Sequence, residues 1–419
     1  MSFFADLLGS IFERRSRSRF PAGDDKRPLP DLLRDLMGTV GETKGAALAA
    51  QILARIDHMD DRDKVAFFRL AATTMGIDTT AVREALDRFQ QDPNGQTYRA
   101  FTTAAEPRRQ ELFRRLNQVP GATGRLVSLR ADLLRLAKGD PVLMELDVDL
   151  CHLFRSWFNR GFLVLRRIGW ESPNVILKKI IAYEAVHAIN SRDELRQRLQ
   201  PSDRQCYAFF HPAMPDEPLI FVAVALTSGV PNSIQALLSE DRTELASDAA
   251  DTAVFYSISN CQPGLANVSF GNSLIKQVVS DLASQLPGLK RFVTLSPIPG
   301  LMAWLDDTGR RAEPLTADAV RRVAAHYLLT AKRPDGQPRD PVARFHLGNG
   351  AEVLAVHAEA DQSDKGMQQS AGAMVNYLYN VRRIARNHER FATTGEIAAS
   401  SAVRKLSRDA FRAEGEERK

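Results

Sequence analysis

Cysteine is scarce in this 419-residue chain: Cys151, Cys206 and Cys261 lie far apart, with no CxxC pair and no Cys/His cluster. Neither a disulfide framework nor a zinc site is encoded in that pattern, and a reducing compartment is expected. Long apolar runs are missing too. The longest, Pro218 to Leu226, falls well short of the roughly 18 to 20 residues that a membrane span needs, and it reads as a buried strand. A strong excess of one charge is also absent, since 56 basic residues are interleaved with 51 acidic ones for a net +5. That balance argues against a nucleic-acid surface and suits a small anionic ligand. There is no internal repeat and no low-complexity block.

What remains is a composition of 44% hydrophobic and 26% charged residues, enough to bury one large core or two medium ones. From Pro28 to about Phe158 the apolar spacing is helical: Leu48, Ile52 and Ile56; Val82, Leu86 and Phe89; Leu126, Leu129, Leu133 and Leu136; Leu143, Leu146, Leu150 and Phe154. Breaks are expected at Gly76, at Asp92-Pro-Asn-Gly95, at Pro120-Gly121 and at Gly139-Asp-Pro141. After Gly161 the texture becomes short β-branched runs. Phe162 to Ile168, Ala208 to Phe210, Leu219 to Thr227, Ala253 to Ser259, Phe292 to Leu295 and Glu352 to Val356 read as strands. A helix over Ser273 to Leu286 makes a βαβ-like unit of Ala253 to Leu295.

The fold class predicted is therefore α + α/β: an arm over residues 1–27, an all-helical bundle over 28–158, and a mixed-sheet domain over 159–419. The last 33 residues, from Asn387, read as a surface helix with a disordered end. In the arm, Phe3, Phe4, Leu7, Leu8, Ile11 and Phe12 precede Arg14, Arg15, Arg17 and Arg19. This is the pattern of an amphipathic helix, read here as a frayed arm or a helix packed on another subunit, because Asp6, Glu13 and the lack of a small-residue cleavage site argue against targeting.

Three segments carry chemistry. Asn260 to Asn272 leaves a strand and opens a helix, where free N–H groups and small residues suit a pyrophosphate. Thr294-Leu-Ser-Pro-Ile-Pro-Gly300 ends the next strand, where two prolines are expected to stop sheet pairing and direct the Ser296 hydroxyl. Arg344-Phe-His-Leu-Gly-Asn-Gly350 offers His346, a side chain suited to proton transfer. His58, His152, His187 and His357 read as structural, whereas His211, at a hairpin, is placed to line a pocket. A Ser/His/Asp hydrolase is disfavoured because no GxSxG elbow is present.

Taken with Ser156-Trp-Phe, Tyr183-Glu-Ala-Val-His187, Val224-Ala-Leu-Thr227, Phe255-Tyr-Ser-Ile-Ser259 and Asn349-Gly350, these segments resemble the malonyl-CoA decarboxylase family. The resemblance implies a helical oligomerisation domain, giving a homodimer or homotetramer, and a GNAT-type acyltransferase fold for the mixed-sheet domain. It implies catalysis by Ser296 and His346, with His346 protonating the enolate carbon and Ser296 positioning the malonyl group. The acyl-CoA-binding residues it implies are Ala266, Asn267, Val268, Ser269, Phe270, Gly271 and Asn272, and Ser257, Asp361 and Tyr379 are implied as supporting residues. No metal or biotin is expected as cofactor. Animal members carry an acidic residue where this chain has Ser269, and end in a peroxisomal Ser-Lys-Leu signal; this chain ends Glu-Glu-Arg-Lys, so a bacterial cytoplasmic setting in malonate or fatty acid metabolism is expected. A CoA-dependent N-acyltransferase and a non-catalytic acyl-CoA-binding protein are the alternatives.

Overall fold

A computed structural model of the chain describes residues 25–38, 41–268, 274–310 and 316–411. The amphipathic arm of residues 3–19 and the end of the tail lie outside the described residues. Two compact units form, one from residues 1–164, 210–219 and 261–270, the other from 165–209, 220–260 and 271–419.

The first unit is helical. Its helices are α1 (Leu29–Met37), α2 (Glu42–Asp57), α3 (Asp61–Thr74), α4 (Thr79–Gln91), α5 (Gly95–Ala105), α6 (Arg108–Leu116), α7 (Ala122–Leu136) and α8 (Pro141–Trp157). Chain punctuation starts them as expected: the Asp78 and Asp140 side chains accept from the first free N–H groups of α4 and α8, and Asn94 with Thr97 forms a capping box on α5. Leu53, Phe68, Leu112, Leu133 and Leu150 share one core with Leu265 and Val268 of the inserted segment 261–270. Helices α4 and α5 form a hairpin that buries only Ala85.

The second unit holds most of a mixed sheet whose strands are β1 (Val164–Arg167), β2 (Arg204–His211), β3 (Met214–Thr227), β4 (Thr252–Asn260), β5 (Arg291–Thr294), β6 (Ser296–Pro297), β7 (Glu352–His357) and β8 (Met374–Leu378). Their order is β1-β2-β3-β4-β5-β8-β6, with β7 also paired to β8. Strands β4 and β5 are parallel and are joined through α9 (Leu274–Gln285), as the βαβ pattern predicted. No helix among the described residues is long and apolar enough to cross a membrane.

Two expectations need correction. The prolines do not end pairing after Thr294: Ser296 and Pro297 pair antiparallel with Val375 and Met374 of β8. Strand β6 closes the order of the sheet, and a terminal strand tolerates the missing N–H of Pro297 that a central one would not. The C-terminal tail is also more than a surface helix. It forms α10 (Ile384–Thr394) and α11 (Ser401–Arg408), which bury Phe391 and Val403.

Candidate active site

Each site residue owes its place to a local device. Thr294 and Ser296 are two residues apart at a sheet end, so their side chains share a face, and the Ser296 hydroxyl donates to Thr294 Oγ1 at 2.9 Å. His346 rides on α12 (Pro341–Gly348), which begins with proline and whose N-terminus is capped by Asp340 accepting from Ala343 N at 2.8 Å. The helix stops where Gly350 takes φ +84. Tyr377 of β8 and Tyr379, one residue past its end, both reach the imidazole. The Tyr377 ring stacks on the imidazole at 4.6 Å, and the Tyr379 hydroxyl lies 2.7 Å from His346 Nδ1.

On the other side of the ring, His346 Nε2 lies 3.1 Å from Ser296 Oγ. The neighbouring hydroxyls bear on the tautomer. If Tyr379 donates to Nδ1, the proton of the neutral ring sits on Nε2 and is donated to Ser296, whose own proton goes to Thr294. The opposite tautomer would leave the Tyr379 hydroxyl proton without an acceptor inside a buried site. We therefore assign His346 as a neutral Nε2–H donor.

Electrostatics agree with that assignment. His346 is 3% exposed among aromatic rings, and burial pushes its pKa down to about 3, so it is uncharged at neutral pH. Burial likewise holds the Tyr379 phenol well above its ordinary range. The pair opens on a cavity of about 230 Å³ whose walls include Val186, Ile220, Phe255, Ile258, Pro297 and Phe345. No lysine or arginine lines it among the described residues. An anionic group in this cavity meets apolar walls and neutral donors.

These shifts bear on stability. An unfolded histidine titrates near 6.5, whereas His346 and His187 are depressed by burial to about 3 and about 4. The unfolded chain therefore binds more protons than the folded one below pH 6.5, and stability falls as pH drops through that window. Asp340, raised by burial to about 6, opposes this between about 4 and 6, but it is one group against two. The urea midpoint is expected to be lower at pH 5 than at pH 7.5; an equal or higher midpoint would show that the two imidazoles are not held neutral.

The remaining candidate residues are distributed as follows. Ser257 is buried away from the cavity lining, donating to the Glu184 carboxylate at 2.7 and 2.8 Å. Glu184 in turn accepts from Val186 N and His187 N, which holds Val186 in place at the cavity. Asp361 accepts from Gln235 Nε2 and Ser363 N, also away from the cavity. Of the loop candidates, Ala266, Asn267 and Val268 are described, and Ser269, Phe270, Gly271 and Asn272 lie outside the described residues. His211 lines no site with the pair; its ring packs on Phe158 at 4.9 Å and its Nε2 faces the Trp157 carbonyl at 3.1 Å. Tyr377 and Glu184 were missed as site residues. Tyr377 had a signal in its two-residue spacing from Tyr379 on one strand face.

A mixed sheet preceded in sequence by a helical bundle, with a buried Ser–His pair beneath an apolar cavity, places the chain in the α + α/β class. Family models for the malonyl-CoA decarboxylase C-terminal domain match residues 161–319 and 310–418, and that for its N-terminal domain matches 75–158. The chain belongs to the malonyl-CoA decarboxylase family. It is 36% identical over 348 residues to the mitochondrial malonyl-CoA decarboxylase of Anser anser anser, covering 71% of this chain and 69% of that protein. The crystal structure of malonyl-CoA decarboxylase from Rhodopseudomonas palustris superposes with a TM-score of 0.85 at 47% identity, over 90% of this chain and 98% of that one. The Agrobacterium vitis structure gives 0.85 at 45% identity, over 90% and 99%.

Proposed function

We propose that this enzyme converts malonyl-CoA to acetyl-CoA and CO2, with Ser296 and His346 as its catalytic pair. The observation that carries this reading is the buried approach of His346 Nε2 to Ser296 Oγ, facing a cavity that no lysine or arginine lines among the described residues. A carboxylate carried into that cavity loses its hydration and finds no counter-ion, whereas CO2 is neutral and content among apolar walls. Charge left on the thioester enolate is then met by the two neutral donors.

The Ser296 hydroxyl positions the malonyl group. When the C–C bond breaks, its electron pair forms the enolate, and the α-carbon takes the Nε2 proton. Tyr379 passes its hydroxyl proton to Nδ1 as this happens, so the ring remains neutral; Nε2 then takes a proton from solvent and Nδ1 returns its own to the phenolate, which restores the starting tautomer. Ala266 to Asn272 form the acyl-CoA-binding segment. No metal or biotin takes part, because the thioester itself accepts the electron pair.

In D2O the enzyme is expected to release acetyl-CoA carrying one solvent deuterium, with no amine required. Consumption of acyl-CoA only when an amine is added would overturn the reading in favour of acyl transfer. Tyr379→Phe is expected to lower kcat by roughly tenfold or more with KM little changed, because the proton donor loses its own supply. Unchanged turnover in that variant would remove Tyr379 from the relay. The α4–α5 hairpin, with Tyr98 56% exposed, supports self-association of the helical unit into a dimer or tetramer.

A further inference from the structure

Arg130, on α7, is wholly buried, which is rare for an arginine and costly unless every charge and donor is matched. Its guanidinium faces Asp147 with Nε at 2.7 Å, and lies over the Phe154 ring at 5.9 Å. Nη2 also faces Asp147, with Oδ2 at 3.3 Å, so only Nη1 is left to reach beyond the helices. Arg130 Nη1 donates to the carbonyls of Gly264 and Ala266 at 2.7 and 2.9 Å.

Those two carbonyls frame the turn that leads into the proposed acyl-CoA-binding segment. The turn is tied down at further points. Leu265 and Val268 are buried in the helical core, and Asn267 is held at φ +62 with Cys151 Sγ 3.8 Å from its carbonyl. At Gly264 the chain runs so close to α7 that a Cβ would fall 1.8 Å from the Val127 carbonyl oxygen. With Nε and Nη2 forked onto the Asp147 carboxylate the guanidinium plane is fixed, so the Nη1 held between two alternate carbonyls sets the direction of the peptide planes between them.

We propose that Arg130 is a positioning residue for substrate affinity: through Gly264 and Ala266 it holds Ala266 to Val268, the first residues of the acyl-CoA-binding segment, in their binding shape. The inference rests on the reading of Ala266 to Asn272 as that segment. A merely structural arginine would influence stability and nothing else. A positioning arginine influences KM ahead of kcat.

The test uses Arg130→Met/Asp147→Leu, which removes both buried charges together and so spares the fold the cost of an unpaired one. Arg130→Lys keeps the pairing charge but loses the fork, and serves if the double variant does not fold. In the full-length enzyme we expect amide hydrogen exchange at 264–268 to accelerate, KM for malonyl-CoA to rise about tenfold or more, and kcat to stay within about threefold. The Kd for free CoA is expected to rise in step with KM. Unchanged exchange at 264–268 would overturn the clamp itself. Faster exchange with KM and CoA affinity unchanged would overturn the proposal at its base, by showing that the segment does not bind acyl-CoA.

Discussion

Replacing His346 by alanine is expected to lower kcat by roughly 10² to 10⁴-fold, the range that loss of a positioned proton donor carries. KM should change far less, because the acyl-CoA contacts proposed for Ala266 to Asn272 are left in place. The substitution empties a space between Tyr377 and Phe345, rings that lie 4.6 and 5.2 Å from the imidazole, so some stability is lost as well. Circular dichroism and a urea titration separate that loss from the catalytic one. Near-normal turnover in a folded His346→Ala protein would mean that the α-carbon is protonated by another group.

The second large effect falls on stability. Gly350→Ala places a Cβ 2.2 Å from the Ile384 carbonyl oxygen, on a backbone at φ +84 that L residues avoid. Neither problem relieves the other, because the clash is with main chain and not with a side chain that can rotate away. Asn387, one turn beyond Ile384 on α10, also donates to the Gly350 carbonyl at 3.3 Å, so a retreat of that helix breaks a buried hydrogen bond. A loss of about 3 kcal/mol or more is expected, since strain at φ > 0 and overpacking add. The observable is a drop in the urea midpoint at constant m. An unchanged midpoint would show that α10 yields freely, and that the end of the His346 helix is not fixed by this contact.

Much of the fold was legible because local patterns and burial agreed. The helices from Leu29 to Trp157 announce themselves through apolar spacing and through Asp78, Asn94 and Asp140 at their starts. Strands β3 and β4 are long and apolar, and the parallel β4–β5 pair follows from the helix between them. Strand β8 was not recognised, since Met374–Leu378 follows a glycine-containing turn and carries Asn376 in its middle. That omission hid the assembly of the site. Strand β8 inserts between β5 and β6, and its tyrosines reach His346 from a place in the sheet that nothing near Ser296 or His346 in sequence reveals.

Individual residues make the same point. Ser296 and His346 are 50 positions apart, and their 3.1 Å approach depends on α12 being stopped at Gly350 and on β6 pairing at the end of the sheet. The resemblance to the family gave both their roles, whereas spacing alone offered each as a separate candidate and did not join them. Arg130 did carry a signal. It lies four residues after Leu126 and three before Leu133, on the buried stripe of α7, where a charge needs a reason. Its partners, Gly264 and Ala266, lie more than 130 residues away, and only the inserted segment brings them to the bundle.

The most direct test of the account uses malonyl-CoA labelled in its free carboxyl, incubated with chelator and without biotin or amine. Labelled CO2 and acetyl-CoA are followed together for the native enzyme, Ser296→Ala and His346→Ala. Equal amounts of the two products from the native enzyme, with both variants slowed severely while still folded, is the result expected. Intact malonyl-CoA with the native enzyme, or full turnover by either variant, would contradict the account.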